Sequence, residues 1–234
     1  MAETVLKINN LSKHFREGES ERIVFQGLET TILKGEFVVL LGRSGSGKST
    51  LLNLISGIDA PTSGEVFLGD QNLTGMTEKQ RTLFRRDHIG FVFQFFNLIP
   101  TLTVMENMLL PLELKNIMDQ GTEQQARSLL DQVGLADRLE SYPDRLSGGE
   151  QQRVAICRAI IHEPLLLLAD EPTGNLDAET GTQVLELLER LVRQNRMTTV
   201  MVTHSKEVAK LADRIITIED GRLVESPKVA EVEG

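Results

Sequence analysis

The sequence predicts an α/β protein built on a buried parallel sheet, with an N-terminal antiparallel β layer and a helical section inserted in the middle. Three observations predict it. Phe37-Val38-Val39-Leu40-Leu41, Leu165-Leu166-Leu167-Leu168-Ala169 and Val200-Met201-Val202 are short aliphatic runs without alternation, as expected of strands covered on both faces. Each run ends in residues with chemistry: Gly42 to Thr50 after the first, Asp170-Glu171 after the second, Thr203-His204 after the third. Ligands of open α/β sheets bind at the carboxyl edge of the strands, so three parallel strands would bring all three clusters to one edge.

In chain order, Val5 to Ile8, Ile23 to Phe25 and Thr30 to Leu33 read as short strands, with a turn at Lys34-Gly35, and form the expected antiparallel layer. Residues from about 95 to 162 read as mostly helical, broken at Pro100, Pro111, Gly121, Gly134 and Pro143. Val184, Leu185, Leu187, Leu188, Leu191 and Val192 recur at helical spacing before the third run. Arg214 to Ile218 and Arg222 to Val224 flank Asp220-Gly221, a hairpin signal. The expected organisation is one domain over 1–234: a core at about 1–94 and 163–225, a helical subdomain at about 95–162, and a short acidic tail at 226–234.

Bulk composition narrows the function. The net charge of −9 argues against nucleic acid as the main partner, because phosphate contacts need a basic surface. The single cysteine, Cys157, permits no internal disulfide and points to a reducing compartment and a packing role. The first residues lack the basic start and apolar core of a signal peptide, and no aliphatic run approaches the roughly 20 residues needed to span a bilayer. A soluble chain is expected, with any membrane role through association.

Gly42-Arg43-Ser44-Gly45-Ser46-Gly47-Lys48-Ser49 fits the phosphate-binding loop, between a strand and a helix as it must be. Its glycines let successive N–H groups face phosphates, and the following helix adds its positive end. Lys48 would reach the β- and γ-phosphates, with the Ser49 hydroxyl as a Mg²⁺ ligand. Asp170 would hold the Mg²⁺ shell, and Glu171 would orient and deprotonate the attacking water. Leu146-Ser147-Gly148-Gly149-Glu150-Gln151 has capping-box spacing at a helix start and reads two ways. It is a plain helix cap, or a second anion site whose glycines, at about 1 kcal/mol each, open the backbone N–H groups.

Taken in order and over nearly the whole chain, the phosphate loop, Leu-Ser-Gly-Gly-Glu-Gln, the aliphatic Asp170-Glu171, Gly174-Asn175-Leu176-Asp177 and His204 resemble an ABC ATPase. Gly90 to Pro100, Glu106-Asn107, Leu110-Pro111 and Asp170 to Asp177 resemble its LolD/MacB branch, which serves lipoprotein release and macrolide or peptide export. The resemblance implies a P-loop NTPase cassette with a RecA-like core that binds ATP and Mg²⁺. Gln94 matches the glutamine that senses Mg²⁺ and the γ-phosphate and opens the permease-contacting loop. Ser147, Gly148 and Gly149 match the signature that binds the ATP of the opposite copy, Asp177 the loop linking the two sites, and His204 the γ-phosphate switch. Phe15 falls where the family places an adenine-stacking tyrosine and keeps the π-face. The implied partners are a second copy and an integral-membrane permease, with apolar Phe95 to Pro100 as the permease groove, on the cytoplasmic side of the inner membrane. The rival reading is a non-transport switch or mechanical signalling device; the absence of a coiled-coil insert or second cassette counts against the DNA-repair and ribosome-associated kinds.

Overall fold

The computed structural model describes residues 3–18, 20–204 and 206–227. The chain opens with β1 (Thr4–Glu17) and β2 (Ser20–Leu33), then β3 (Phe37–Leu41) runs through the glycine-rich loop into α1 (Lys48–Ile55). β4 (Ser63–Leu68), β5 (Gln71–Asn72), α2 (Glu78–His88) and β6 (Ile89–Val92) follow. Next come α3 (Val104–Leu114), α4 (Gln120–Gln132) and α5 (Gly148–Ile160). The chain then returns through β7 (Leu166–Asp170), α6 (Ala178–Gln194), β8 (Thr199–Val202), α7 (Lys206–Ala209), β9 (Arg214–Glu219) and β10 (Arg222–Pro227).

Two sheets result. The larger has the order β10-β9-β3-β8-β7-β6, parallel throughout except for the β9–β10 hairpin. β3, β8 and β7 are adjacent, so the polar residues after each strand share one edge, as the sequence predicts. The smaller sheet, β2-β1-β4-β5, is antiparallel. The aliphatic runs do not alternate because each residue serves one of two cores. Val39, Leu167, Ala169 and Met201 pack on the side of α3, α5 and α6. Val38, Leu40, Leu166, Leu168, Val200 and Val202 pack on the side of α1 and the antiparallel sheet.

The hairpin at Asp220-Gly221 is present, both residues in the left-handed region (φ 47° and 73°). The helix through Val184 to Val192 is α6, and its periodic residues are the buried ones apart from the partly buried Leu185. Three expectations need correction. The three short N-terminal strands are parts of two 14-residue strands, whose alternation is broken by register shifts at Ile8/Leu11 and around Lys13. Pro111 lies inside α3 rather than ending it, and the helix closes three residues later at Leu114. Gly121 sits in the first turn of α4 behind the Asp119 cap, where helical bonding asks little of it. The expected tail lies outside the described residues beyond Pro227. No helix among the described residues is long and apolar enough to cross a membrane.

Candidate active site

β3 delivers the chain into the glycine-rich loop, which folds back over its own lysine. Gly47, at the N-cap of α1, has φ 96°, and a Cβ there would lie 2.5 Å from Val24 Cγ1 and 2.8 Å from Phe25 Cε1. Only glycine fits on both counts. Lys48 is buried, and its ammonium donates to Gly42 O at 2.8 Å and Arg43 O at 3.0 Å, holding the loop closed around the cation. Burial lowers the Lys48 pKa, while the charges of Glu171 and Asp170 oppose that shift. No side chain caps α1, so its first-turn N–H groups are available for an anion.

β7 places Asp170 beside this loop. The Ser49 hydroxyl donates to Asp170 Oδ1 at 3.4 Å. Burial raises the Asp170 pKa, and the Ser49 hydrogen bond pulls it back. Glu171 stands one residue beyond the strand in the left-handed region (φ 46°), its N–H donating to Val202 O at 3.0 Å. Such a backbone costs a non-glycine residue about 1–3 kcal/mol. It turns the chain sharply, and Glu171 Oε1 meets His204 Nε2 at 2.6 Å. Thus β7 and β8 together present a carboxylate and an imidazole to the phosphate loop.

Lys48, Ser49, Glu171 and His204 line one cavity of about 260 Å³, with Phe15, Arg22, Val24, Ser44, Gly45, Gly47 and Thr50 also on its walls; Asp170 is not on them and joins the site through Ser49. Gly42, Arg43 and Ser46 face an adjoining hollow of about 970 Å³ that also has Ser44, Gly45 and His204 on its wall. Phe15 is an aromatic wall of this cavity. The residue is 40% exposed, and Lys13 Nζ lies 4.8 Å from its ring centroid, itself fixed by Asp59 at 2.6 Å and Ala60 O at 2.8 Å. An aromatic wall and a lysine-bearing anion cradle in one cavity can hold a planar base joined to a polyphosphate. Arg22 and Val24 were not expected here. They reach the site because β2 pairs with β1 (Phe15 opposite Arg22), a register the sequence does not display.

The remaining candidates stand elsewhere and do not line that cavity. Gln94 exchanges two hydrogen bonds with Asn175: Gln94 Nε2 donates to Asn175 Oδ1 at 3.2 Å, and Asn175 Nδ2 to Gln94 O at 3.0 Å. Asp177 caps α6, accepting from Thr180 N at 3.0 Å, which lowers its pKa. Ser147 caps α5 in a full capping box: its N–H donates to Glu150 Oε2 at 2.8 Å, and its Oγ accepts from Glu150 N at 3.3 Å. Gly148 and Gly149 have a reason for being glycine beyond open N–H groups. A Cβ on Gly149 would lie 2.5 Å from Thr180 Cγ2, and one on Gly148 would lie 3.2 Å from Leu176 Cδ2. Cys157 is fully buried, and desolvation drives its thiol pKa up, in keeping with a packing role.

A Walker-type phosphate loop, an Asp-Glu pair on the neighbouring strand, a histidine beside it and a glycine-bearing capped helix, all on this parallel-sheet frame, define an ATP-binding cassette. The defining pattern of the ABC transporter family matches residues 25–174, and the chain belongs to that family as an ATP-binding, ATP-hydrolysing subunit. It is 56% identical over 220 residues to an uncharacterized ABC transporter ATP-binding protein of Mycobacterium tuberculosis, covering 94% of this chain and 89% of that one. It is 44% identical over 226 residues to the lipoprotein-releasing system ATP-binding protein LolD of Acinetobacter baylyi, covering 96% and 99%. A dimeric ATP-binding cassette solved in a post-hydrolysis state with ADP and Pi superimposes with a TM-score of 0.86 at 40% identity, covering 96% of this chain and 99% of that one.

Proposed function

We propose that this chain is the motor of an envelope transporter: two copies bind two ATP head to tail on the cytoplasmic face of the inner membrane and drive a permease that exports or extracts its substrate. The observation that carries this reading is the Glu171–His204 contact at 2.6 Å, facing the cradle of Lys48 at the edge where three strands end. A carboxylate there can take a proton from water as the water oxygen bonds to the γ-phosphorus and the bond to the β-phosphate oxygen breaks. Lys48 and the N–H groups of the loop and α1 neutralise the charge on the phosphates, His204 contacts the γ-phosphate, and Phe15 stacks on adenine.

Mg²⁺ fits the donor set. Ser49 Oγ and Asp170 Oδ1 are hard oxygens 3.4 Å apart, and Mg²⁺ takes few protein ligands beside phosphates and water. Gln94 would reach it after exchanging its present partner, Asn175. When bound, the ion offsets charge on the β- and γ-oxygens. Ser147, Gly148 and Gly149 serve the nucleotide of the other copy, and Asp177 lies between the two sites. Segment 95–162 is the helical subdomain, carried by the core of 1–94 and 163–225. Phe95, 71% exposed just after Gln94, and Ile99 give a permease an apolar surface. The likeness to LolD, itself named for lipoprotein release, supports export or extraction over import.

Replacing Glu171 by Gln tests the chemistry. Turnover should fall by about 10²–10⁴ with ATP still bound. Near-normal turnover would remove Glu171 as the base.

A further inference from the structure

Outside the nucleotide cavity, one side chain joins three parts of the proposed site: α5, the chain after Glu171 and the chain before Gln94. Gln152 lies on α5, five residues after Ser147, and is fully buried. Its Nε2 donates to Pro172 O at 2.5 Å and to Phe93 O at 3.3 Å. Those carbonyls belong to the residue directly after Glu171 and the residue directly before Gln94. Because both neighbours are acceptors, chemistry fixes the amide orientation; the flipped form would set three oxygens together. The outward Oε1 has no partner among the described residues, a costly state for a buried acceptor. An aliphatic side chain would avoid that cost but would strand two carbonyls.

The link is part of a closed ring. Gln94 is bonded to Asn175, and Gly174 N donates to Glu171 O at 2.9 Å, so the two loops are tied to each other as well as to α5. Two turns along α5, Arg158 donates to Asn97 O at 2.7 Å and Phe96 O at 3.0 Å. α5 therefore holds the chain on both sides of Gln94, and its first turn is the one that carries Ser147 to Gly149.

We propose that Gln152 is a positioning residue for hydrolysis, keying Glu171 and Gln94 to the helix that presents Ser147, Gly148 and Gly149. A shift of α5 on its own chain then moves the carboxylate relative to Lys48, so hydrolysis follows the seating of α5. This rests on the reading of Glu171 as the general base.

The test compares Gln152→Leu and Gln152→Glu with the unaltered chain and Glu171→Gln. Steady-state ATP turnover from pH 6 to 8.5, ATP affinity by a fluorescent analogue, and thermal unfolding are measured for each. Gln152→Leu should lower kcat about 10-fold, the worth of one net hydrogen bond or slightly more, with nucleotide affinity within about twofold. In Gln152→Glu a carboxylate faces two carbonyls and repels them, whereas the protonated acid donates to one. Its kcat relative to the unaltered chain should therefore rise as pH falls, a signature that lost packing does not give and that stands even if Gln152→Leu fails to fold. Equal kcat in all Gln152 forms, or a Gln152→Glu kcat no higher than that of Gln152→Leu at the lowest pH, where the acid is protonated and donates one bond, overturns the proposal. If Glu171→Gln lowers turnover by about 10²–10⁴ while the Gln152 forms keep the kcat of the unaltered chain, the base stands and only this inference falls. If Glu171→Gln turns over normally, the underlying reading has failed.

Discussion

The N-termini of α1 and α5 both carry glycines, and they are built differently. At α1 the loop encloses a buried lysine, two carboxylates stand nearby, no side chain caps the helix, and the walls of a cavity are in place. At α5 the helix is already capped by Ser147 and Glu150, and Ser147, Gly148 and Gly149 are not on the walls of the α1 cavity. The first end carries a walled cavity with Lys48 and Glu171 already in place. The second is finished as structure, and on the proposed reading it is the surface that meets the nucleotide of a second copy.

This difference can be broken from either side. Gly149→Ala should act at the second end and spare ATP binding at the first. The added methyl meets Thr180 Cγ2 at 2.5 Å, so Thr180 or the first turn of α5 gives way, and a displacement of that turn near 1 Å costs about 10²-fold in turnover. ATP affinity of the single copy, read by fluorescence titration, should stay unchanged; a parallel loss of affinity would mean the two ends are not separable. Lys48→Ala should act on the first end, weakening ATP binding about 10–100-fold, the worth of a charge-assisted hydrogen bond. An unchanged affinity would contradict its phosphate role.

The smallest effect concerns the cap. Glu150 is held below its ordinary pKa of 4.5, first by the Ser147 backbone N–H. A depressed carboxylate contributes stability that is present above 4.5 and lost as pH falls through the folded value. Glu150→Gln should therefore cost about 0.5–1 kcal/mol at neutral pH and make the unfolding temperature less sensitive to acid below about pH 4.5. Equal acid sensitivity in the two forms would remove Glu150 as the source.

What was legible in the sequence follows the same division. The first end is local: strand, loop, lysine and serine are contiguous, and the unbroken apolar runs announce β3, β7 and β8. The meeting of Glu171 and His204 followed from parallel strands ending together. Other features depend on pairings that no local pattern encodes. Arg22 reaches the cavity through the β1–β2 register, which bulges disguise. α2 escaped notice because it buries no residue and carries no apolar stripe; its one signal was the capping box of Thr77 and Gln80. Gly149 reads as an opened helix end until Thr180 of α6 is set against it, and Gln152 reads as one polar residue among several until its two carbonyls are found.

The central claim is that the α5 end of one copy completes the α1 site of another. The direct test is the mass of the Glu171→Gln chain in solution by light scattering, with ATP-Mg²⁺ or ADP-Mg²⁺, alone and with Gly149→Ala added. The account predicts doubling of the mass with ATP, none with ADP, and loss of the doubling with Gly149→Ala. A chain that binds ATP tightly and stays monomeric at all concentrations would contradict it.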